Sequence, residues 1–250
     1  DPADTSSLVG NRVKAIFEDS KGNFYIGSDG DGLHLMDRET GKFQRLTLIP
    51  GNPNALSRPP INDKASFAVD HITFINEDAE GGIWIGTYAG GINRYDPKSK
   101  KMAFFGSTGE GSQYHDNNGY WTSLKTDDNL IWISSWLPEN ENQVLYRVST
   151  LQENFEYFKI GPRAVFFGED REKGIWVGTS QGVFGHELNT SEDSFFSFVQ
   201  RTIGPAILRA LKVDQEGNVW IGTSSRGLFF FDRATNTYQN YGSKEGLISP

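Results

Sequence analysis

The chain of 250 residues contains no cysteine and only two methionines. Without cysteine there are no disulfides and no thiolate metal ligands, although this does not fix the compartment, since many periplasmic proteins also lack disulfides. No run of about 18 apolar residues is present, so no segment is predicted to cross a bilayer. The net charge of −8, with no long basic run, argues against nucleic acid or an anionic membrane as a partner.

A short phrase repeats along the sequence: a small apolar run with an aromatic residue, then Ile-Gly, Val-Gly or, in one weaker copy, Ile-Ser, then Ser or Thr. Its anchor residues are 59, 48, 44 and 44 positions apart, and they are Gly27, Gly86, Ser134, Gly178 and Gly222. A second run follows each copy after a turn, which is longer in the third copy, and this run ends in Asp in three copies. A period near 44 with short strands is typical of propeller blades.

We therefore predict an all-β fold, a β-propeller of about five four-stranded antiparallel blades within a single domain, residues 1–250. The first strands are expected at 13–18, 69–76, 120–126, 163–169 and 207–213. The whole repeats are expected at roughly 11–48, 67–105, 119–158, 162–199 and 206–241. Because the chain enters and leaves at the same phase of the repeat, we also expect neighbouring blades in a longer parent protein.

Three phrases carry a resemblance to a known family. They are Glu-Asp-x-x-Gly-x-x-Trp-Ile-Gly-Thr at 77–87, Gly-Gly-Ile-Asn-Arg-Tyr-Asp at 90–96 and Asn-Pro-Asn-Ala-Leu-Ser at 52–57. The chain resembles two-component regulator propeller repeats, as in the periplasmic sensor of hybrid histidine kinases of Bacteroidetes. The resemblance implies a periplasmic sensor of an inner-membrane protein, an oligosaccharide ligand and a possible homodimer through neighbouring domains.

The repeated aromatic residues are predicted to be core. Trp84, Trp132, Trp176 and Trp220 share one place in the second strand of each blade, and Tyr25 takes that place in the first. A residue that recurs once per blade most simply fills the space between sheets, which lie about 10 Å apart. The glycine that follows is expected to allow a close approach between backbone and neighbour.

A ligand site is predicted where the long connections lie. In an up-and-down sheet, the loops between second and third strands and those between blades emerge at one end, and the insertions at 49–66, 106–119 and 136–142 all fall there. Counting seven residues back from the turn aspartates, with Asp127 taken for the third repeat, gives the starts of the first strands at the same end. The predicted ligand-binding residues are Trp121, Tyr120, His71, Arg12, Arg163, Arg209, Tyr114, His115 and Trp136.

Such a mixture suits sugars, because aromatic faces stack on C–H groups and the planar guanidinium pairs with hydroxyls or carboxylates. Two alternatives stay open: Arg12 and Arg163 could simply pair with nearby acids, and Trp121 could only plug the channel. A docking module is a further alternative, since an acidic surface suits a basic protein partner.

Catalysis is the minority interpretation. A propeller glycosidase needs paired carboxylates, and the candidates are Asp70 and Asp116, whereas other repeats carry Arg, Tyr or Ile there. The four histidines lie in separate repeats without ligand-like spacing, and no Gly-x-Ser-x-Gly elbow occurs. Asp29-Gly30-Asp31-Gly32 resembles half a calcium loop but is expected to be a turn. We expect no enzyme activity, no metal and no cofactor.

Overall fold

The computed structural model describes residues 3–46, 56, 71–88, 90–105, 119–126, 129–135, 143–151, 154–161, 164–170, 174–179, 182–186, 195–197, 208–235 and 237–247. These residues form five antiparallel sheets of four strands each. In every sheet the strands lie side by side in chain order, so that each strand pairs with the next one along the sequence. The predicted all-β architecture of five four-stranded units is confirmed.

The twenty strands are numbered in chain order. The first sheet contains β1 (Val13–Glu18), β2 (Phe24–Ser28), β3 (Leu33–Met36) and β4 (Phe43–Leu46). The second contains β5 (Ile72–Glu77), β6 (Ile83–Thr87), β7 (Ile92–Asp96) and β8 (Lys101–Phe105). The third contains β9 (Tyr120–Lys125), β10 (Leu130–Ser135), β11 (Gln143–Ser149) and β12 (Asn154–Gly161).

The fourth sheet contains β13 (Ala164–Glu169), β14 (Ile175–Thr179), β15 (Gly182–His186) and β16 (Phe195–Ser197). The fifth contains β17 (Leu208–Val213), β18 (Val219–Thr223), β19 (Leu228–Asp232) and β20 (Thr237–Tyr241), and a 3-10 turn at Ser243–Glu245 follows it. The chain divides into two compact units, Asp1–Asn140 with Tyr146–Tyr157, and Glu141–Leu145 with Phe158–Pro250.

The repeated aromatic residue of the second strand packs in the interior in four of the five sheets, as predicted. Tyr25, Trp84 and Trp132 are fully buried and Trp176 is 4% exposed, whereas Trp220 of the fifth sheet is only partly buried. In the first unit, the Trp84 ring stacks on Phe105 of its own sheet at 5.1 Å between centroids and also contacts Phe155 of the third sheet at 6.2 Å. This residue therefore fills the space between neighbouring sheets.

A carboxylate at the turn before the second strand holds the same aromatic residue. Asp78 accepts hydrogen bonds from the Trp84 indole at 2.8 Å and from the Gly82 backbone N–H at 2.7 Å. Asp170 accepts the equivalent pair of bonds from the Trp176 indole and the Gly174 N–H. Asp214 accepts them from the Trp220 indole and the Asn218 N–H. In the first sheet Asp19 accepts from the Tyr25 hydroxyl at 3.3 Å. An aspartate that accepts a hydrogen bond from the tryptophan six residues later is thus a recurring structural feature of the repeat.

In the third sheet, Thr126 occupies the position of the turn aspartate. Its backbone N–H donates to the Leu130 carbonyl, as Asp78 does to Gly82. The strand register agrees, because Trp132 pairs with Leu124 just as Trp84 pairs with Asn76. The sequence-based position of the first strand in this repeat, which was counted back from Asp127, was therefore wrong by one residue.

In the first unit, the glycine two residues after the aromatic residue allows a neighbouring side chain to approach the backbone closely. An added Cβ at Gly86 would lie 2.0 Å from the Phe74 ring, and one at Gly27 would lie 2.5 Å from Ile72. At Gly178 and Gly222 of the second unit, the nearest neighbours would be 3.3 and 3.5 Å away. The predicted packing role is confirmed for the first two sheets, and the space is looser in the last two.

Candidate functional site

The connections between sheets and those between second and third strands meet at one end of the first two sheets. Asp29, just after β2, donates its backbone N–H to the carbonyl of Arg12, just before β1, at 2.9 Å. Tyr88, just after β6, makes the same bond to the carbonyl of His71, just before β5. These paired positions bring side chains from two connections together, as the strand directions predicted.

Asp29 links the first sheet to the second at this end. Its Oδ1 lies 2.6 Å from Nδ1 of His71, with which it also forms an isolated antiparallel bridge. Its Oδ2 lies 3.5 Å from the Arg12 guanidinium, and the two side chains are 16% and 76% exposed, respectively. The half-buried Asp29–His71 pair is well placed to hold the imidazole in one orientation, whereas the Arg12 contact is long and screened by water.

A cavity of about 360 Å³ lies beside this pair, in the first unit. Its described lining residues are Lys14, Asp29, His71, Ile72, Thr73, Tyr88 and Trp121. The volume is at the lower end of the range for small-ligand sites. The lining combines aromatic rings with a cation, a carboxylate and a hydroxyl, which is the composition of a site for a polar ligand with apolar faces.

Aromatic rings form a continuous wall of the cavity. The Tyr88 ring lies 6.4 Å from the His71 ring and 6.4 Å from the Trp121 ring, the latter in an edge-to-face arrangement at 66°. Such pairs are favourable beyond the area they bury, and they hold the rings in place. A wall of this kind offers a rigid apolar surface to a ligand.

The polar lining comes from one repeated position. Lys14, Thr73 and Trp121 each stand five residues before the turn position of their sheet, and Arg209 is the equivalent residue of the fifth sheet. The Thr73 hydroxyl oxygen is buried and has no hydrogen-bond partner among the described residues. Lys14 forms no ion pair within the described part of the chain and is exposed. Three successive blades thus send one side chain each into the same cavity.

An open groove of about 660 Å³ adjoins the cavity. Arg12, Asp29 and His71 line it together with the glycine-rich segments at 10–11 and 30–31. Gly30 has a φ of +113° and lies against His71, because an added Cβ would be 3.3 Å from Nε2 of that ring. The glycine therefore permits the Asp29–His71 contact.

The Asp29–Gly32 segment is the turn that the sequence predicted. Ser28 donates its hydroxyl to the Gly32 carbonyl at 2.9 Å and accepts the Asp31 N–H at 3.0 Å. Thr87 makes the same pair of bonds in the second sheet. Among the described residues, no group of three or more His, Cys, Asp or Glu side chains is arranged to hold a metal ion.

The structure brings three of the predicted site residues together. His71 and Trp121 line the cavity, and Arg12 lines the adjoining groove. Arg12 pairs with a nearby carboxylate, which is the simpler role left open for it. Arg209 is exposed on β17 of the second unit. Four predicted residues lie outside the described residues: Arg163, Tyr114, His115 and Trp136, as do the candidate carboxylates Asp70 and Asp116.

Tyr120 takes a different place from Trp121. It is 1% exposed, its ring packs edge-on against Tyr146 at 5.7 Å, and it is not among the residues that line the cavity. It stands at the same repeat position as Ile72, Ala164 and Leu208, which are all buried. The shift of one residue in the third repeat explains its inclusion in the predicted set.

Five of the described cavity residues were missed by sequence reasoning: Lys14, Asp29, Ile72, Thr73 and Tyr88. Asp29 and Tyr88 occupy the position that Trp136 occupies in the third repeat, directly after the Gly-Ser, Gly-Thr or Ser-Ser pair. Lys14 and Thr73 occupy the position of Trp121, and Ile72 occupies that of Tyr120. A comparison by repeat position, rather than by residue type, would have found these residues.

Comparisons with known proteins agree with this architecture. Residues 7–30 and 66–89 match the family model described as two component regulator propeller. These two segments are similar to two-component regulator propeller repeats. It is similar to histidine kinase P4 of Formosa agariphila, with 27% identity over 228 residues, which cover 86% of this chain and 15% of the kinase.

Solved structures show the same fold at low sequence identity. The extracellular domain of a putative hybrid two-component system of B. thetaiotaomicron has 21% identity and a TM-score of 0.69, over 96% of this chain and 30% of that one. A catalytically inactive virginiamycin B lyase of Staphylococcus aureus, solved with quinupristin, has 10% identity and a TM-score of 0.65, over 92% of this chain and 69% of that one. The chain thus spans less than a third of the kinase and of the sensor domain.

No helix in the described part of the chain has the length and apolar character needed to span a membrane.

Proposed function

We propose that this chain is part of the extracytoplasmic, ligand-sensing propeller region of a hybrid two-component regulator and that it binds a saccharide. The supporting observation is the cavity of about 360 Å³ in which Trp121, Tyr88 and His71 form an aromatic wall beside polar groups. Aromatic rings pack on the C–H faces of a sugar, and the polar groups take its hydroxyls. The repeat family and the kinase similarity favour signalling as the context, in the periplasm.

Binding without turnover is favoured by the acids of the cavity. Among its described lining residues, Asp29 is the one carboxylate, and it already contacts His71 and Arg12. Hydrolysis of a glycoside by the usual route needs two carboxylates on opposite sides of the bond. One observation favours a second candidate: an imidazole oriented by Asp29 could serve as a general base, as in a lyase or hydrolase.

The test is a thermal-shift and calorimetric screen of the 250-residue chain against neutral and acidic oligosaccharides. A ligand at 100 times its dissociation constant adds about 2.7 kcal/mol to the free energy of unfolding, which moves the melting temperature by several degrees. Trp121→Ala should abolish the shift. Tyr157→Ala is the matched control, since Tyr157 is an aromatic residue that is 59% exposed and does not line the cavity.

Recovery of the saccharide intact after incubation would support sensing, whereas cleaved product that disappears in His71→Ala would support the catalytic candidate. If no saccharide shifts the melting temperature of the folded chain, the sensing proposal for this cavity fails. Binding of a basic protein partner in that case, lost in Trp121→Ala, would favour a docking module.

A further inference from the structure

We infer that the cavity selects an acidic saccharide, with a sugar carboxylate bound to Lys14. This inference rests on the proposed function, because it names the ligand class of the same site. It starts from the charges that line the cavity and the adjoining groove, which are those of Lys14, Asp29, Arg12 and His71.

The only acid among the described cavity residues already has two basic neighbours. Asp29 places one carboxylate oxygen 2.6 Å from the His71 imidazole and the other 3.5 Å from the Arg12 guanidinium. Asp31 lines the groove together with Asp29 but does not line the cavity. The Asp29 carboxylate is therefore directed toward His71, which lines both the cavity and the groove, and toward Arg12 of the groove.

Lys14 is the cation left for a ligand. Within the described residues its ammonium group forms no ion pair, although it lines the same cavity as Tyr88 and Trp121. An ammonium group is a compact charge with three donors on a flexible stem, which suits a carboxylate that approaches from solvent. Hydrogen bonds between charged partners are about twice as strong as those between neutral ones.

The position of Lys14 beside aromatic rings fits a sugar acid better than a small inorganic anion. Thr73 and Trp121 are its counterparts in the next two blades, so the three residues line a common space of about 360 Å³. A uronic acid has a carboxylate at one edge of a ring with apolar faces and hydroxyls. An anion without a ring could not pack against the aromatic wall.

The experiment compares matched disaccharides in pairs that differ only by a carboxylate or a hydroxymethyl group on the terminal ring, built on glucose, galactose and mannose. Calorimetry with the 250-residue chain should show at least one acid that binds about tenfold tighter than its neutral counterpart at low salt. The advantage should shrink as the NaCl concentration rises, because salt screens exposed charges.

Variants assign that advantage to one side chain. Lys14→Met should weaken binding of the acid about tenfold and leave the neutral partner unchanged, whereas Lys14→Arg should keep most of the preference. Lys101→Met, which removes an exposed lysine of β8 that does not line the cavity, should bind as the wild type does.

Two results would overturn the inference in distinguishable ways. If neutral sugars bind as tightly as their acids, or if Lys14→Met weakens both equally, the choice of an acidic ligand is wrong while saccharide binding stands. If none of the six disaccharides binds to the folded chain, and the wider screen is also negative, the proposed function fails with it.

Discussion

The indole N–H of Trp84 donates a 2.8 Å hydrogen bond to Oδ2 of Asp78, six residues earlier in the chain. The carboxylate also accepts from the backbone N–H groups of Glu80 and Gly82 and from Nε of Arg94, at 2.7–3.0 Å. Burial raises the pKa of the Asp78 carboxyl, but these hydrogen bonds and the Arg94 charge outweigh it and leave the pKa below its usual value. The turn and the core residue are thus held by one buried charge.

Asp78→Ala is expected to destabilise the protein by roughly 3–5 kcal/mol, because it leaves the Trp84 indole and the Gly82 N–H without their acceptor in a buried site. It also removes the more buried of the two carboxylates that pair with Arg94, the other being that of Glu80. Asp96→Ala is the matched control. Asp96 caps an exposed turn by accepting from the Lys98 N–H and the Ser99 hydroxyl, so its loss should cost much less. Chemical denaturation at pH 7 measures both, and equal losses would contradict a central role for Asp78.

Two glycines at the same repeat position should respond differently to substitution by alanine. Gly86→Ala would place a Cβ 2.0 Å from the Phe74 ring, so the ring must shift, at an expected cost of about 1–3 kcal/mol. At Gly222 the nearest neighbour would be Ala210 Cβ at 3.5 Å, an ordinary contact. Gly222→Ala should be neutral or stabilising by up to about 1 kcal/mol, because it restricts the unfolded chain. Melting temperatures of the two variants that move in parallel would refute this contrast.

Ile16 and Ile75 also share a repeat position, three residues before the turn aspartate, but differ in burial. Ile75 is 7% exposed and belongs to the core between the first two sheets, whereas Ile16 is 62% exposed. Ile75→Ala should cost about 2–5 kcal/mol, and Ile16→Ala should stay within about 0.5 kcal/mol in the 250-residue chain. Urea denaturation measures both, and a large loss for Ile16→Ala would show that another part of the protein covers this side chain.

The fold was predictable from the sequence because one packing problem recurs five times. Every blade needs the same aromatic filler, the same turn carboxylate and a small residue beside its neighbour, so residue identities repeat with the structure. The first strands of four sheets begin within one residue of their predicted positions, and β5 begins at Ile72 where 69 was predicted. Even the third repeat, which has Ser134-Ser135 in place of Gly-Ser or Gly-Thr, keeps Trp132 in the core.

The site was less predictable because its residues do not repeat. Lys14, Thr73 and Trp121 share a position but have nothing chemical in common, so no motif marks them. Their convergence on one cavity depends on the register of three strands, and an error of one residue exchanges a cavity residue, Trp121, for a core residue, Tyr120. Successive side chains along a strand point to opposite faces of the sheet. The register of each strand must therefore be known with single-residue precision before its side chains can be assigned to a site.

The stability of the protein is expected to depend on pH through the side chain of His34. His34 is fully buried on β3, its two ring nitrogens have no hydrogen-bond partner among the described residues, and its ring packs edge-on against Phe43 at 6.5 Å. Burial lowers the pKa of His34 below its ordinary value of about 6.5, because the charged imidazolium is poorly solvated there.

The sign of the effect follows from proton binding. Below pH 6.5 the unfolded chain protonates His34 while the folded chain keeps it neutral, so the contribution of this residue to stability is complete above that pH and is lost as the pH falls toward the folded pKa. The wild type should therefore lose stability between pH 7.5 and 5.5, and His34→Leu should lose less over the same interval. Ile16→Ala, which removes no titratable group, should follow the wild type. Denaturation curves at the two pH values measure the difference, and an unchanged pH dependence in His34→Leu would mean that His34 can be protonated in the folded protein without penalty.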